Sequence, residues 1–225
     1  MRHGLTAKTG SVLVGRTPGI HLDERGQQQA AALADRIAAL PLSAVVTSPL
    51  ERCAETADAI RAGQRTAPAW HVDDRLLECG YGDWTGKAIK ELTKDPLWKL
   101  VQTQPSAVRF PGGEGLAEMA GRAVAAVRDW DERLGEAAVW VACTHGDIVK
   151  AVVADALGLH LDQFQRIVPD PGSVSVIRYT KTRPFVIRVN DTGGDLGALA
   201  PPKRRQRKAA QNDATVGGGS GGGDV

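Results

Sequence analysis

The chain predicts an α/β fold, a three-layer α/β/α sandwich with a mostly parallel central sheet. Two observations carry this reading. Short, branched apolar runs alternate with longer stretches of helical spacing. Reactive dipeptides also sit directly behind two of those runs, where the loops of parallel sheets gather their chemistry. Parallel strands need crossover connections, and the crossovers cover both faces of the sheet.

Residues 1–20 are rich in Gly, Thr and Pro and read as loop. A helix is expected from about Asp23, with Ala30, Leu33, Ala34, Ile37 and Leu40 at three- and four-residue spacing and Pro41 as its stop. Residues 44–48 form a short buried strand closed by Pro49, and 50–60 continue as helix. A long helix over 114–134 turns Leu116, Met119, Ala123, Val127 and Trp130 inward. Residues 138–143 give a second buried strand and 146–157 another helix. Two last strands, 173–179 and 185–189, are joined by a polar turn at 181–184. Thr47-Ser48 and Thr144-His145 thus become site candidates by placement alone.

At 225 residues the chain supports one sizeable core, expected over 1–199. It has no apolar run of the ~18–20 residues that a membrane span needs and no leader pattern. Cys53, Cys79 and Cys143 are odd in number and widely spaced, which fits a reduced, cytoplasmic protein without disulfides. Neither Cys-x-x-Cys nor His-x-x-x-His spacing occurs, so no metal site is expected. Of the net charge of +2, residues 201–225 contribute +3, leaving −1 for the body. Nucleic-acid contact could rest only on that tail, through non-specific phosphate contacts. Pro201-Pro202, a basic cluster and a Gly/Ser ending make 200–225 an expected disordered tail.

Four segments carry the chemistry: Arg2-His3-Gly4, Ser48-Pro49-Leu50-Glu51-Arg52, Glu78 within 76–82, and Thr144-His145-Gly146. Each alone is weak, since a lone histidine is more often structural than catalytic. In this order, at strand ends, and with Asp23-Glu24-Arg25-Gly26 opening the first helix, they resemble the histidine phosphatase superfamily, the phosphoglycerate-mutase-like fold. Glu78 with Gly82, Trp84 and Gly86 is similar to the family's acid-bearing loop, and Phe110-Pro111-Gly112-Gly113-Glu114 to the loop before its long helix. The resemblance covers roughly residues 1–190, and the Val189-Asn190-Asp191-Thr192 ending resembles an actinobacterial branch labelled phosphomutase.

The resemblance implies phosphoryl transfer through a phosphohistidine on His3, with no cofactor and no metal. Phosphoryl transfer is mostly positioning and charge stabilisation, which Arg2 and Arg52 supply with paired N–H donors. Neighbouring cations keep the attacking imidazole neutral. His145 would donate a hydrogen bond to the transferring group, and Glu78 would serve as general acid. Thr6, Thr9, Gly15 and Arg16 follow in the loop and are candidate substrate contacts beside Arg2, Arg52 and His145. The competing structural readings are a solvated helix residue for Arg52 and a cap or ion pair for Glu78, with Asp83 and Glu51 as rival acids. His21, His71 and His160 read as surface or packing residues, and Trp84, Trp98 and Trp130 as core.

Metal-independent hydrolysis of a small phosphorylated metabolite is the favoured outcome. A phosphomutase is the alternative, and a non-catalytic phospho-ligand-binding module is the alternative of another class. Between Gly86 and Pro111 the cations are Lys87, Lys90, Lys94, Lys99 and Arg109, without the adjacent arginine pair of the glycolytic mutases. Gly115 also stands where many relatives have serine. A homodimer is compatible with the resemblance. Relatives place an apolar strand directly before Arg-His-Gly, whereas here Met1 alone precedes Arg2; the expectation is a truncated first central strand and a start codon upstream.

Overall fold

Strand β1 (Leu42–Thr47) buries five of its six residues, as the middle strand of a sheet covered on both faces must. In a computed structural model describing residues 1–193, it lies between β2 (Ala69–Val72) and β3 (Val139–Cys143), both parallel to it. Successive side chains of a strand point to opposite faces. Val45 accordingly packs with Leu33 and Ile37 of α1 (Glu24–Ile37) and with Cys53, Ala57 and Ile60 of α2 (Glu51–Ala62). Val46 faces the other way, into a larger cluster. There α3 (Ile89–Leu92) and α4 (Pro96–Thr103) contribute Leu92, Trp98 and Val101. Helix α5 (Leu116–Leu134) adds Leu116, Met119 and Ala123, and α6 (Gly146–Ala156) adds Ile148 and Val153. These two clusters make the three layers. A hairpin of β4 (Val174–Arg178) and β5 (Phe185–Asp191) completes the described chain.

Differences from the expected elements have local causes. Helix α1 ends at Ile37, because the Leu40 N–H closes a turn onto the Ile37 carbonyl at 2.9 Å and Leu40 stays largely exposed. Strand β2 was not legible: four half-exposed residues at a sheet edge carry little pattern, and pairing with β1 supplies their order. The short α3 and α4 went unread for the same reason, although Asp95 caps Leu97 N–H at 2.9 Å and Pro96 opens α4. The tail at 200–225 and the boundary after 199 lie outside the described residues. Among the described residues, no helix is long and apolar enough to cross a membrane.

Residues 1–3 sit where the truncated strand was expected. The Thr144 N–H donates to Met1 O and the His3 N–H to Thr144 O, each at 3.0 Å, so Arg2 bridges in parallel to β3. On the other side Arg2 N–H donates to Ser173 O and Gly172 N–H to His3 O. Three residues thus fill the gap between β3 and the start of β4, and their amides are paired rather than orphaned.

The next turn depends on close backbone contact. A Cβ on Gly26 would lie 2.0 Å from Leu5 O, and one on Gly4 would lie 2.5 Å from Gly26 O. The first turn of α1 therefore rests directly on the chain leaving His3. Gly26→Ala must push these backbones apart, and overpacking of this kind costs about 1–3 kcal/mol. Its urea midpoint should fall and its turnover with it, while Gln28→Ala on the exposed face should leave both close to wild type.

Candidate active site

The site gathers at the carboxyl end of the sheet, from the chain beside β3, the first turns of α2 and α6 and the loop that carries Glu78. His3 is buried, and its Nδ1 lies 2.7 Å from the Gly4 carbonyl oxygen. An imidazole can meet a carbonyl only as donor, so the Nδ1 proton is held there and Nε2 is left as the basic nitrogen. His145, the N-cap residue of α6 just beyond β3, packs edge-on against His3, with ring centroids 5.3 Å apart. Its Nε2 lies 2.8 Å from Ser48 Oγ, and Cys53 Sγ packs on the same ring at 3.4 Å from Nε2.

Arg2 and Arg52 flank the histidines. Arg2 Nη1 donates to Pro169 O at 2.9 Å. Arg52, the second residue of α2, is 1% exposed; its Nη2 donates to Gly15 O at 2.7 Å, while Nε and Nη1 have no hydrogen-bond partner in the protein. Gly15 can present that carbonyl because its φ is +51°, and a Cβ there would come within 3.0 Å of the Tyr81 ring.

The electrostatics follow from burial beside two guanidiniums. Burial, then Arg52 and Arg2, hold His3 well below the usual histidine range, so it is neutral at pH 7. Burial and then Arg52 depress His145 in the same way. Arg2 is lowered to about 10, chiefly by burial, and stays charged at neutral pH. Glu78 is pushed up to about 7 by burial first and by Asp147 second, against the pull of the Cys79 N–H and both arginines.

Behind Glu78 lies a fully buried polar group. The Tyr81 hydroxyl donates to Asp147 Oδ2 at 2.7 Å, and Lys150 Nζ lies 3.2 Å from Asp147 Oδ1 and 2.8 Å from Gln165 Oε1. The backbone around Glu78 is clamped from α5. Arg122 donates to Arg75 O, Leu77 O and Glu78 O at 2.7–3.0 Å and pairs with Glu114, which in turn accepts from Gly80 N–H.

A small open pocket joins these groups. Arg2, His3, Arg52 and Glu78 line it together with Thr9 and Gly15. Arg16 does not: its Nε donates to Glu78 O at 2.8 Å and its Nη2 to Glu114 Oε2 at 2.8 Å. His145 stands behind His3 rather than in the wall. Of the rival acids, Asp83 is exposed and Glu51 accepts from Gly19 N–H; neither lines the pocket. Gly115 is also outside the wall, its N–H bonded to Glu118 Oε2. Sequence reasoning missed the roles of Tyr81, which sits within the acid-bearing loop, and of Asp147, Lys150 and Arg122, isolated polar residues on helices rich in apolar residues. Among the described residues, no group of three or more His, Cys, Asp or Glu side chains is arranged to hold a metal.

Two imidazoles and two guanidiniums gathered around one pocket beyond the carboxyl ends of parallel strands define a class of phosphate-handling α/β proteins. The chain belongs to the histidine phosphatase superfamily (branch 1), whose family model matches residues 1–192. It is 29% identical over 185 residues to phosphoserine phosphatase 1 of Hydrogenobacter thermophilus, covering 80% of this chain and 86% of that protein. It is 30% identical over 173 residues to glucosyl-3-phosphoglycerate phosphatase of Mycolicibacterium vanbaalenii, covering 73% and 75%. Among solved structures it superposes on Bacillus stearothermophilus YhfR with a TM-score of 0.75 and 30% identity, covering 84% of this chain and 94% of that one. The mycobacterial glucosyl-3-phosphoglycerate phosphatase shares the fold with a TM-score of 0.75, at 24% identity and coverage of 84% and 95%.

The Arg122 clamp makes a prediction. Arg122→Ala removes five hydrogen bonds to carbonyl and carboxylate oxygens. It should cost about 2–3 kcal/mol in denaturant unfolding. Turnover should fall about tenfold or more at temperatures where the variant is folded, because Glu78 loses its anchored backbone.

Proposed function

We propose that this chain hydrolyses small phosphomonoesters through a phosphohistidine on His3. The observation that supports it best is the pairing of a neutral imidazole, with Nε2 free of the Gly4 contact, and a buried Arg52 whose Nε and Nη1 are unpartnered in the protein. A buried guanidinium with unmet donors favours an anion beside it, and a phosphoryl group presents equatorial oxygens to both arginines. The relatives' names, both phosphatases, support hydrolysis as the outcome.

In this reading His3 Nε2 attacks phosphorus, the ester P–O bond breaks, and the leaving alkoxide takes the Glu78 proton. Glu78, now ionised, accepts a proton from water as its oxygen attacks the phosphohistidine. The P–N bond breaks, leaving inorganic phosphate and neutral His3. If the Ser48 hydroxyl donates to Nε2 of His145, the neutral ring carries its proton on Nδ1 and can donate it to the transferring group. The cations of the 87–109 segment are exposed and outside the pocket wall, which gives the mutase alternative no support.

Purified protein should hydrolyse an aryl phosphate in the presence of a metal chelator, and rapid quenching should trap acid-labile phosphate on His3. His3→Ala should lose both signals; retained turnover in that variant would remove the mechanism.

A second expectation concerns pH. Glu78 works protonated and titrates at about 7 in the folded protein. The acid form is therefore lost as pH rises through 7, and kcat/KM for an alkyl phosphate should decline about tenfold per pH unit above it. An aryl phosphate, with its better leaving group, should show a much weaker decline. Glu78→Gln should cripple the alkyl reaction selectively, and equal losses on both esters would make Glu78 structural.

A further inference from the structure

The pocket is divided by charge. Its two cations, Arg2 and Arg52, stand with His3 at the phosphoryl end. Val12, Leu13, Val14 and Ile89 supply an aliphatic wall, and Glu78 is the acid of the lining. Thr6 and Thr9 also face the pocket, but their hydroxyls lie 3.0 Å from each other and Thr9 Oγ1 accepts from Thr6 N–H.

That wall is held in place by backbone. Leu13 N–H donates to Lys87 O, Gly86 N–H to Leu13 O, and Ile89 N–H to Ser11 O, all within 2.8–3.0 Å, and Val12 bridges to Ala88. None of the neighbouring cations lines the pocket, and Lys8, between Thr6 and Thr9, is exposed. Arg16 is bound to Glu114 and to the Glu78 carbonyl, Arg109 pairs with Glu118, and the Lys87 and Lys90 side chains are exposed.

An ester whose alcohol bears a carboxylate would bring that charge against aliphatic side chains and beside Glu78. Both arginines would already be engaged by the phosphoryl oxygens. A carboxylate set against aliphatic side chains and a neighbouring acid loses solvation, and beyond the two arginines no cation lines the pocket to offset that loss. An alkyl or aryl arm gains from the same wall.

Resting on the hydrolytic reading above, we propose that the site selects phosphomonoesters of uncharged, apolar-armed alcohols and discriminates against esters with a carboxylate on the alcohol. This separates the chain from the relatives named for phosphoserine and glucosyl-3-phosphoglycerate, since both of those esters carry a carboxylate.

The test is a matched pair: butyl phosphate and the phosphate ester of 4-hydroxybutanoate, which differ in a terminal methyl against a carboxylate. Phosphoserine and 3-phosphoglycerate are assayed alongside. Wild-type kcat/KM should favour butyl phosphate by about tenfold or more over each carboxylated ester. A smaller preference, or a reversed one, overturns the proposal while leaving the hydrolytic reading intact. Hydrolysis of none of the four, nor of an aryl phosphate, sinks the hydrolytic reading and this inference with it. Ile89→Arg, checked for folding by its melting temperature, should shrink the preference about tenfold by giving the carboxylate a partner. Ile89→Gln should change it by less than about threefold. Equal shifts in the two variants would mean that shape rather than charge sets the selectivity, and would also overturn the proposal.

Discussion

The burial of Arg52 is the constraint on which the rest of the site depends. A guanidinium has been taken almost wholly out of water, with Nη2 held by the Gly15 carbonyl and two further nitrogens left without protein partners. Such a charge is expensive to bury, and the sheet and α2 hold it there through the surrounding core. Burial first, and then its field, lowers both imidazoles, so the nucleophilic ring is neutral without help from a base. The same geometry explains Gly15. A residue with a Cβ could not adopt its φ of +51° without strain, nor fit against the Tyr81 ring.

Glu78 shows the opposite device. It lies beside two cations that would ionise it, yet burial and the nearby Asp147 outweigh them and lift it to about 7. Asp147 can remain in the core because its oxygens meet the Tyr81 hydroxyl and the Lys150 ammonium, and Lys150 is steadied in turn by Gln165. Breaking one member of such a buried set would leave another charge uncompensated, which is the costly case. The network therefore joins the acid on the pocket wall to α6 in the core. Structure and protonation state are set by the same contacts.

Much of this was legible in the sequence. The alternation of branched runs and helical spacing determined the parallel sheet and its two covered faces, because burial periodicity is a local property of the chain. Placement behind strands marked Ser48 and His145, and the ordered motifs picked out Arg2, His3, Arg52 and Glu78. Tertiary structure decided what local pattern cannot encode. Edge strand β2 has order only through β1, and residues 1–3 only through β3 and the approach to β4. Arg16 read as a substrate contact, but Glu114, 98 residues along the chain, draws it onto the acid loop. Arg122, Asp147 and Lys150 looked like ordinary helix polar residues until folding brought their partners from distant segments. Motifs specify which reactive groups are present; long-range packing decides which of them share a pocket and which proton each one holds.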